Sequence, residues 1–155
     1  MNPLLAIAAA ASVATCCGLA VMGASASVKA SASAPTGVAA RAADGHYWAE
    51  AEIEGRKLRL LVDTGASAVA LTAADAGRLG LDVEHLAFTQ KVATARGELY
   101  AAQVTLPAVT VGAARIEGVR ALVVRQGLPA SLLGMSYLGR LSGFEGRDNA
   151  LILKR

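Results

Sequence analysis

Leu60-Leu61-Val62-Asp63-Thr64-Gly65-Ala66-Ser67 is the stretch on which the reading of this 155-residue chain turns. Three apolar residues end on an acid, and a pair suited to chain reversal follows at once. A carboxylate in that position is held at the edge of a core by rigid backbone, Gly65 permits a tight turn, and Thr64 and Ser67 bring hydroxyls close to it. An acid can be fixed there for chemistry. Asp-Thr-Gly is equally a sound Asx-turn, so the tripeptide alone leaves a structural role open beside a catalytic one.

Upstream, His46 to Glu54 alternates: Tyr47, Ala49, Ala51 and Ile53 face one way, and His46, Trp48, Glu50, Glu52 and Glu54 the other. The pattern resumes at Leu58, Leu60 and Val62, with Lys57 and Arg59 facing out, so a turn at Gly55-Arg56 makes a hairpin that delivers the chain to Asp63. Downstream, Ala68 to Leu71 is apolar. Thr72 with Asp75 has the form of a capping box, and Gly80 suits the left-handed residue after a helix end, which predicts a short helix over 73–79. Lys91 to Ala95 and Glu98 to Leu106, around Arg96-Gly97, predict a second hairpin. Val109 to Val111, a Gly112-Ala113 turn, Ile116, and Val119 to Val124 predict further strands. Ser131 is expected to cap a short helix containing Leu132 to Leu138, and Phe144 and Leu151 to Leu153 flank a last turn at Arg147-Asp148-Asn149. Many short strands at close turn spacing predict an all-β barrel or sandwich with one or two short helices.

The first third is different material. Leu4 to Ala26 carries no charge and ends in Ala24-Ser25-Ala26, small residues at the positions a signal peptidase reads. A cleaved signal peptide and an uncleaved membrane anchor through residues 4–26 are both open, and either predicts export, to the periplasm. Residues 27–43, rich in Ser and Ala with Pro35 and Gly37, read as a flexible linker, so the folded domain is expected over 44–155.

Composition excludes several classes. Net charge is +3, but Lys and Arg are scattered among Asp and Glu, without the clustered footprint that nucleic acid requires. Cys16 and Cys17 are adjacent and lie in the apolar head, which leaves the body free of cysteine. With His46 and His85 the only histidines and no Gly-x-Ser-x-Gly elbow, a nucleophilic triad has no basis. No metal and no cofactor are expected.

Asp63-Thr64-Gly65-Ala66-Ser67 after three apolar residues resembles the active-site loop of aspartic proteases, specifically of the retropepsin-like family. Leu132-Leu133-Gly134 is similar to the paired hydrophobics and glycine that support that loop in the second half of the fold. The resemblance covers residues 44–155 and the order of elements. It implies a closed β-barrel with one active-site half per chain, a Lys91 to Gln103 hairpin acting as a flap with Ala95, Arg96, Gly97 and Glu98 at its tip, and Thr64 meeting its own copy across a dimer axis. There are two departures: a helix-like insert after the Asp63 loop, and a flap tip with one glycine where retroviral enzymes have several. Peptide hydrolysis by this route needs two carboxyls that share one proton, a property of aspartic proteases as a class. Asp63 is the only acid in an Asp-Thr-Gly or Asp-Ser-Gly setting, so a homodimer acting on polypeptide substrates is expected. A non-catalytic module of the same fold, binding peptide by strand addition, is the other reading.

Overall fold

A computed structural model describes residues 36–94 and 97–155. The expected export segment, residues 4–26, lies outside them. Among the described residues, no helix is long and apolar enough to cross a membrane.

The elements follow the alternation closely around Asp63. Strands β2 (Tyr47–Ile53) and β3 (Arg56–Val62) bury Ala49, Ala51, Ile53, Leu58 and Leu60 and expose the charged residues between them. Ile53 pairs with Arg56, so the turn is Glu54-Gly55, one residue earlier than expected. Both have positive φ, 49° and 75°, the two-residue geometry whose twist matches an antiparallel pair. Strand β4 (Val69–Thr72) leads into helix α1 (Ala73–Arg78), where Thr72 accepts the Asp75 N–H at 3.1 Å as the capping pattern predicts and Gly80 takes φ +83°. A 3-10 turn, Val83–His85, and strand β5 (Gln90–Thr94) follow.

The remaining strands are longer or earlier than the sequence pattern indicates. Strand β6 (Gly97–Val111) runs unbroken through Pro107, and β7 (Ala114–Val124) returns beside it, where four separate short strands were expected. Pro107 falls at the one gap in the β6–β7 register, between Leu106 beside Val119 and Ala108 beside Glu117, so its missing N–H costs a single rung and the pairings on either side carry the strand across it. Strand β8 (Leu132–Leu133), helix α2 (Met135–Leu138), and the hairpin β9 (Gly143–Arg147) with β10 (Ala150–Lys154) complete the order. The helix expected over 132–138 is thus shorter, and Ser131 does not cap it: α2 has Gly134 at its N-cap and no side-chain cap. Of the expected linker, residues 27–35 lie outside the described residues, and the part from Thr36 is corrected, since β1 (Thr36–Arg41) pairs with β10 on one side and β2 on the other. Small residues make that possible. Gly37 lies so close to the Val111 carbonyl that a side chain would not fit, and Ala39 is fully buried.

The strands join in the order β5-β6-β7-β4-β8-β3-β2-β1-β10-β9, and a further pairing of Ala51 with Val111 and Glu52 with Thr110 brings β2 back to β6. The middle of the sheet is therefore a ring, filled by Ile53, Leu60, Leu71, Leu106, Val109, Val119, Leu133, Leu138 and Tyr137. Tyr137 is wholly buried and donates its hydroxyl to the Ala114 carbonyl at 2.7 Å. A smaller cluster of Ala68, Ala101, Leu122 and Val124, packed against Val92, Leu99 and Leu128, ties the root of the β5–β6 hairpin to the ring.

Candidate active site

Asp63 is placed by the end of β3, and β3 is placed by β8. The two strands run parallel, Leu61 beside Leu132 and Val62 beside Leu133. The Leu61 N–H donates to the Ser131 carbonyl at 2.9 Å and the Asp63 N–H to the Leu133 carbonyl at 3.2 Å, so the backbone leading to the acid is held on both sides of Val62. The loop beyond then folds on itself. The Gly65 N–H donates to Asp63 Oδ1 at 2.8 Å and the Ala66 N–H to the Asp63 carbonyl at 3.3 Å. This is the Asx-turn, and it also orients the carboxylate: one oxygen is engaged by backbone, which leaves the other for the groove.

A second set of contacts fastens the loop from behind. The Met135 N–H donates to the Ala66 carbonyl at 2.8 Å. Ser136 Oγ accepts the Val69 N–H at 2.9 Å and donates to the Arg120 carbonyl at 2.7 Å. Gly134 is buried where α2 crosses the loop, and a side chain there would meet backbone of Ala66 and Ala68. Of the expected support residues, Leu133 and Gly134 thus pack directly under the Asp63 loop, while Leu132 turns toward the groove. Thr64 is exposed and takes no part in the groove wall.

The groove itself has a volume of about 480 Å³. Asp63, Gly65, Ala66 and Ser67 form one side, Val92, Ala93, Thr94 and Leu99 of the β5–β6 hairpin the facing side, and Ala68, Ala70, Leu122, Val124, Leu128 and Leu132 the rest. Among the described residues that line it, Asp63 is the only ionisable one. The apolar lining was not singled out in the sequence. Its signal was the weak alternation of Val92, Thr94, Leu99 and Ala101, too short and too poor in large residues to mark a wall.

The expected flap is only partly described. Ala95 and Arg96 fall outside the described residues. Gly97, at φ +115°, pairs with Thr94, and the Thr94 hydroxyl donates to the Gly97 carbonyl at 2.7 Å. Glu98 is exposed and meets Lys91 at 3.4 Å, and Lys91 also lies 5.9 Å from the centre of the exposed Tyr100 ring. Trp48 stays outside the groove, its indole N–H on Asp44 at 3.0 Å and Arg59 stacked 4.5 Å from its ring. His46 and His85 are exposed, each beside an aspartate, Asp44 and Asp82.

Comparison with known proteins agrees with this geometry. Residues 49–140 match the family described as "gag-polyprotein putative aspartyl protease". An uncharacterized protein of Rickettsia prowazekii (strain Madrid E) is 40% identical over 116 residues, 75% of this chain and 50% of its own length. An uncharacterized protein encoded in the cobV 5′ region of a Sinorhizobium species is 40% identical over 112 residues, 72% of this chain and 48% of its own. The chain spans about half the length of the curated relatives it matches. Among solved structures, a retropepsin-like aspartic protease from Rickettsia conorii superimposes with a TM-score of 0.68 at 41% identity, covering 76% of this chain and 89% of that one. EIAV protease in complex with the inhibitor HBY-793 shares the fold, with a TM-score of 0.51 at 21% identity over 64% of this chain and 91% of that one. From the family match over most of the ring and the Rickettsia conorii likeness over nearly all of that structure, this chain belongs to the retropepsin-like aspartic protease family.

Proposed function

We propose that the chain is an aspartic endopeptidase that hydrolyses peptide bonds in polypeptide substrates as a homodimer, with Asp63 of each subunit at a shared cleft. The observation that carries this reading is the groove: a single ionisable group, Asp63, stands on a tightly fastened loop in an apolar trough that holds half of the acids the chemistry needs. A two-fold axis beside the Asp63 loop supplies the other half. Exposed Thr64 then meets its copy at that axis, and the β5–β6 hairpin, through Val92, Thr94 and Leu99, faces the bound peptide.

In the dyad, one ionised carboxylate takes a proton from a water as its oxygen attacks the peptide carbonyl carbon. The other carboxyl, protonated, gives its proton to the carbonyl oxygen. Collapse of the tetrahedral intermediate re-forms the C=O bond, breaks the C–N bond and returns a proton to the departing amine. Two carboxyls this close hold one proton between them, as is general for aspartic proteases, so activity follows a bell-shaped pH profile whose limbs belong to the pair. We place the enzyme in the exported compartment on the strength of the uncharged run Leu4 to Ala26.

Asp63→Asn tests the reading. The variant keeps side-chain size and an oxygen for the Gly65 N–H, so folding, dimerisation and peptide binding survive, while turnover falls by about three orders of magnitude or more. Wild-type specific activity also falls on dilution as dimers separate. Cleavage retained in the pure Asn variant, or full activity in a demonstrated monomer, would overturn the proposal; peptide binding without cleavage in the wild type would favour a binding module.

A further inference from the structure

Ser131 is the one buried polar residue among the described core positions, 1% exposed, and its contacts reach three separate elements. Its hydroxyl donates to Asp75 Oδ2 at 2.6 Å and accepts the Thr72 N–H at 3.0 Å. Its carbonyl accepts the Leu61 N–H, two residues before the Asp63 N–H that Leu133 accepts. One residue therefore joins the cap of α1 and the end of β4 to the strand that carries the acid.

The pairing also changes the meaning of α1, the short helix that follows β4. In a closed capping box the carboxylate three residues into the helix returns to the N-cap N–H. Here that N–H, from Thr72, goes to Ser131 instead, and the Asp75 carboxylate reaches it only through the Ser131 hydroxyl. Asp75 is turned inward, with 18% of its side chain exposed, and its other oxygen meets Arg78 at 3.3 Å. Arg56, at the start of β3, donates to the Arg78 carbonyl, so the helix is attached to both ends of that strand. The helix is wedged against the scaffold of the acid.

We propose that Asp75 and Ser131 are positioning residues for Asp63, with α1 acting as a brace that sets the height of Ser131–Leu133 against β3. The proposal rests on the peptidase reading above, because the position of Asp63 has a consequence for turnover only if Asp63 reacts. The acid is fastened through a strand two residues long, which has little stiffness of its own. Freed from Asp75 and Thr72, that strand slides, and a reacting group displaced by about 1 Å forfeits on the order of a hundredfold in rate.

The experiment compares Ser131→Ala and Asp75→Ala with Asp75→Asn, which keeps an oxygen for the serine hydroxyl, and with Val111→Ala, a core truncation at the β6–β7 turn, as a control for stability loss alone. Each is made in the full chain, with two readings. In the first, kcat falls about 10–100-fold in the two alanine variants with KM within about threefold, while Asp75→Asn and the Val111 control stay near wild type. The second is native-state amide exchange, in which the Asp63 and Gly65 N–H groups exchange about tenfold faster in the alanine variants and unchanged in Asp75→Asn. If the wild type cleaves nothing, the peptidase reading fails while exchange still reports the brace. Unchanged exchange at Asp63 and Gly65, or a kcat loss no larger than that of a Val111→Ala protein of matched melting temperature, would overturn the proposal. Should Ser131→Ala fail to fold, the Asp75 pair decides alone.

Discussion

Gly134→Ala is the substitution the architecture tolerates least. The backbone at Gly134 is extended, φ −96° and ψ −173°, which alanine adopts freely, so its cost is purely one of space. The added methyl would stand 2.6 Å from the Ala68 carbonyl carbon and 2.7 Å from the Ala66 carbonyl oxygen, with the Ala68 oxygen nearer still. All three are backbone atoms, and none can rotate away. Restoring ordinary carbon contact distances requires α2 and the Asp63 loop to part by about 1 Å. Overpacking of this kind costs about 1–3 kcal/mol, and loss of the adjoining Met135-to-Ala66 hydrogen bond adds about 1 kcal/mol. For a unit of this size, a total of about 2–4 kcal/mol lowers the melting temperature by roughly 8–15 °C. The same 1 Å displacement of the loop costs about a hundredfold in turnover. Thermal melting at fixed protein concentration, with cleavage of an unfolded protein measured well below the transition, reads both. Gly143→Ala is the matched control, since its added methyl meets nothing within 4 Å. Melting of the Gly134 variant within about 2 °C of wild type, with turnover intact, would refute the claim that this crossing holds the acid in place.

The other expectations are quickly stated. Burial raises the Tyr137 hydroxyl pKa from 10.0 to about 12. Because the folded-state value is the higher one, the neutral phenol's contribution is complete below pH 10 and is lost as pH rises from about 10 toward 12, on the order of 2 kcal/mol in all. Tyr137→Phe should lack that alkaline step in denaturant titrations. It should also be less stable at neutral pH by about 1–2 kcal/mol, because the Ala114 carbonyl loses its donor. A persisting step of equal size would assign it elsewhere. A reporter joined after Arg41 should be active only outside the cytoplasm; activity confined to the cytoplasm would refute the assignment of residues 4–26 to export.

What was legible in the sequence was local. The alternation from Tyr47 to Val62 needs no partner to be read, since it follows from one buried and one solvated face, and Thr72 and Gly80 mark the helix because caps answer to backbone geometry within a turn. Strand β1 was illegible because its inward positions are the small Gly37 and Ala39, while its one larger apolar residue, Val38, faces solvent. Its strand conformation is imposed by β2 and β10, which it bridges through Gly37 and Ala39. The break expected between Leu106 and Val109 does not occur, because pairing with β7 on both sides of Pro107 holds the strand together, and no local pattern reports a partner that far along the chain. Ser131 fits cap grammar for the residues that follow it, yet its hydroxyl serves Asp75 and Thr72, 56 and 59 positions earlier. Asp63 stood out as a candidate because acid, turn and strand end are contiguous. The groove opposite it is assembled from five separate segments, each unremarkable alone.

The two-residue pairing of β3 with β8 also sets a timetable. Asp63 is synthesised early, but the Leu133 carbonyl that receives its N–H comes roughly 70 residues later, some 4–14 s at ordinary elongation rates of about 5–20 residues per second. Until then the acid has a strand behind it and no socket. Parallel, non-local pairings of this kind form late because the loop between them must close first. Assembly of the proposed catalytic centre is thus among the last events in the making of the molecule.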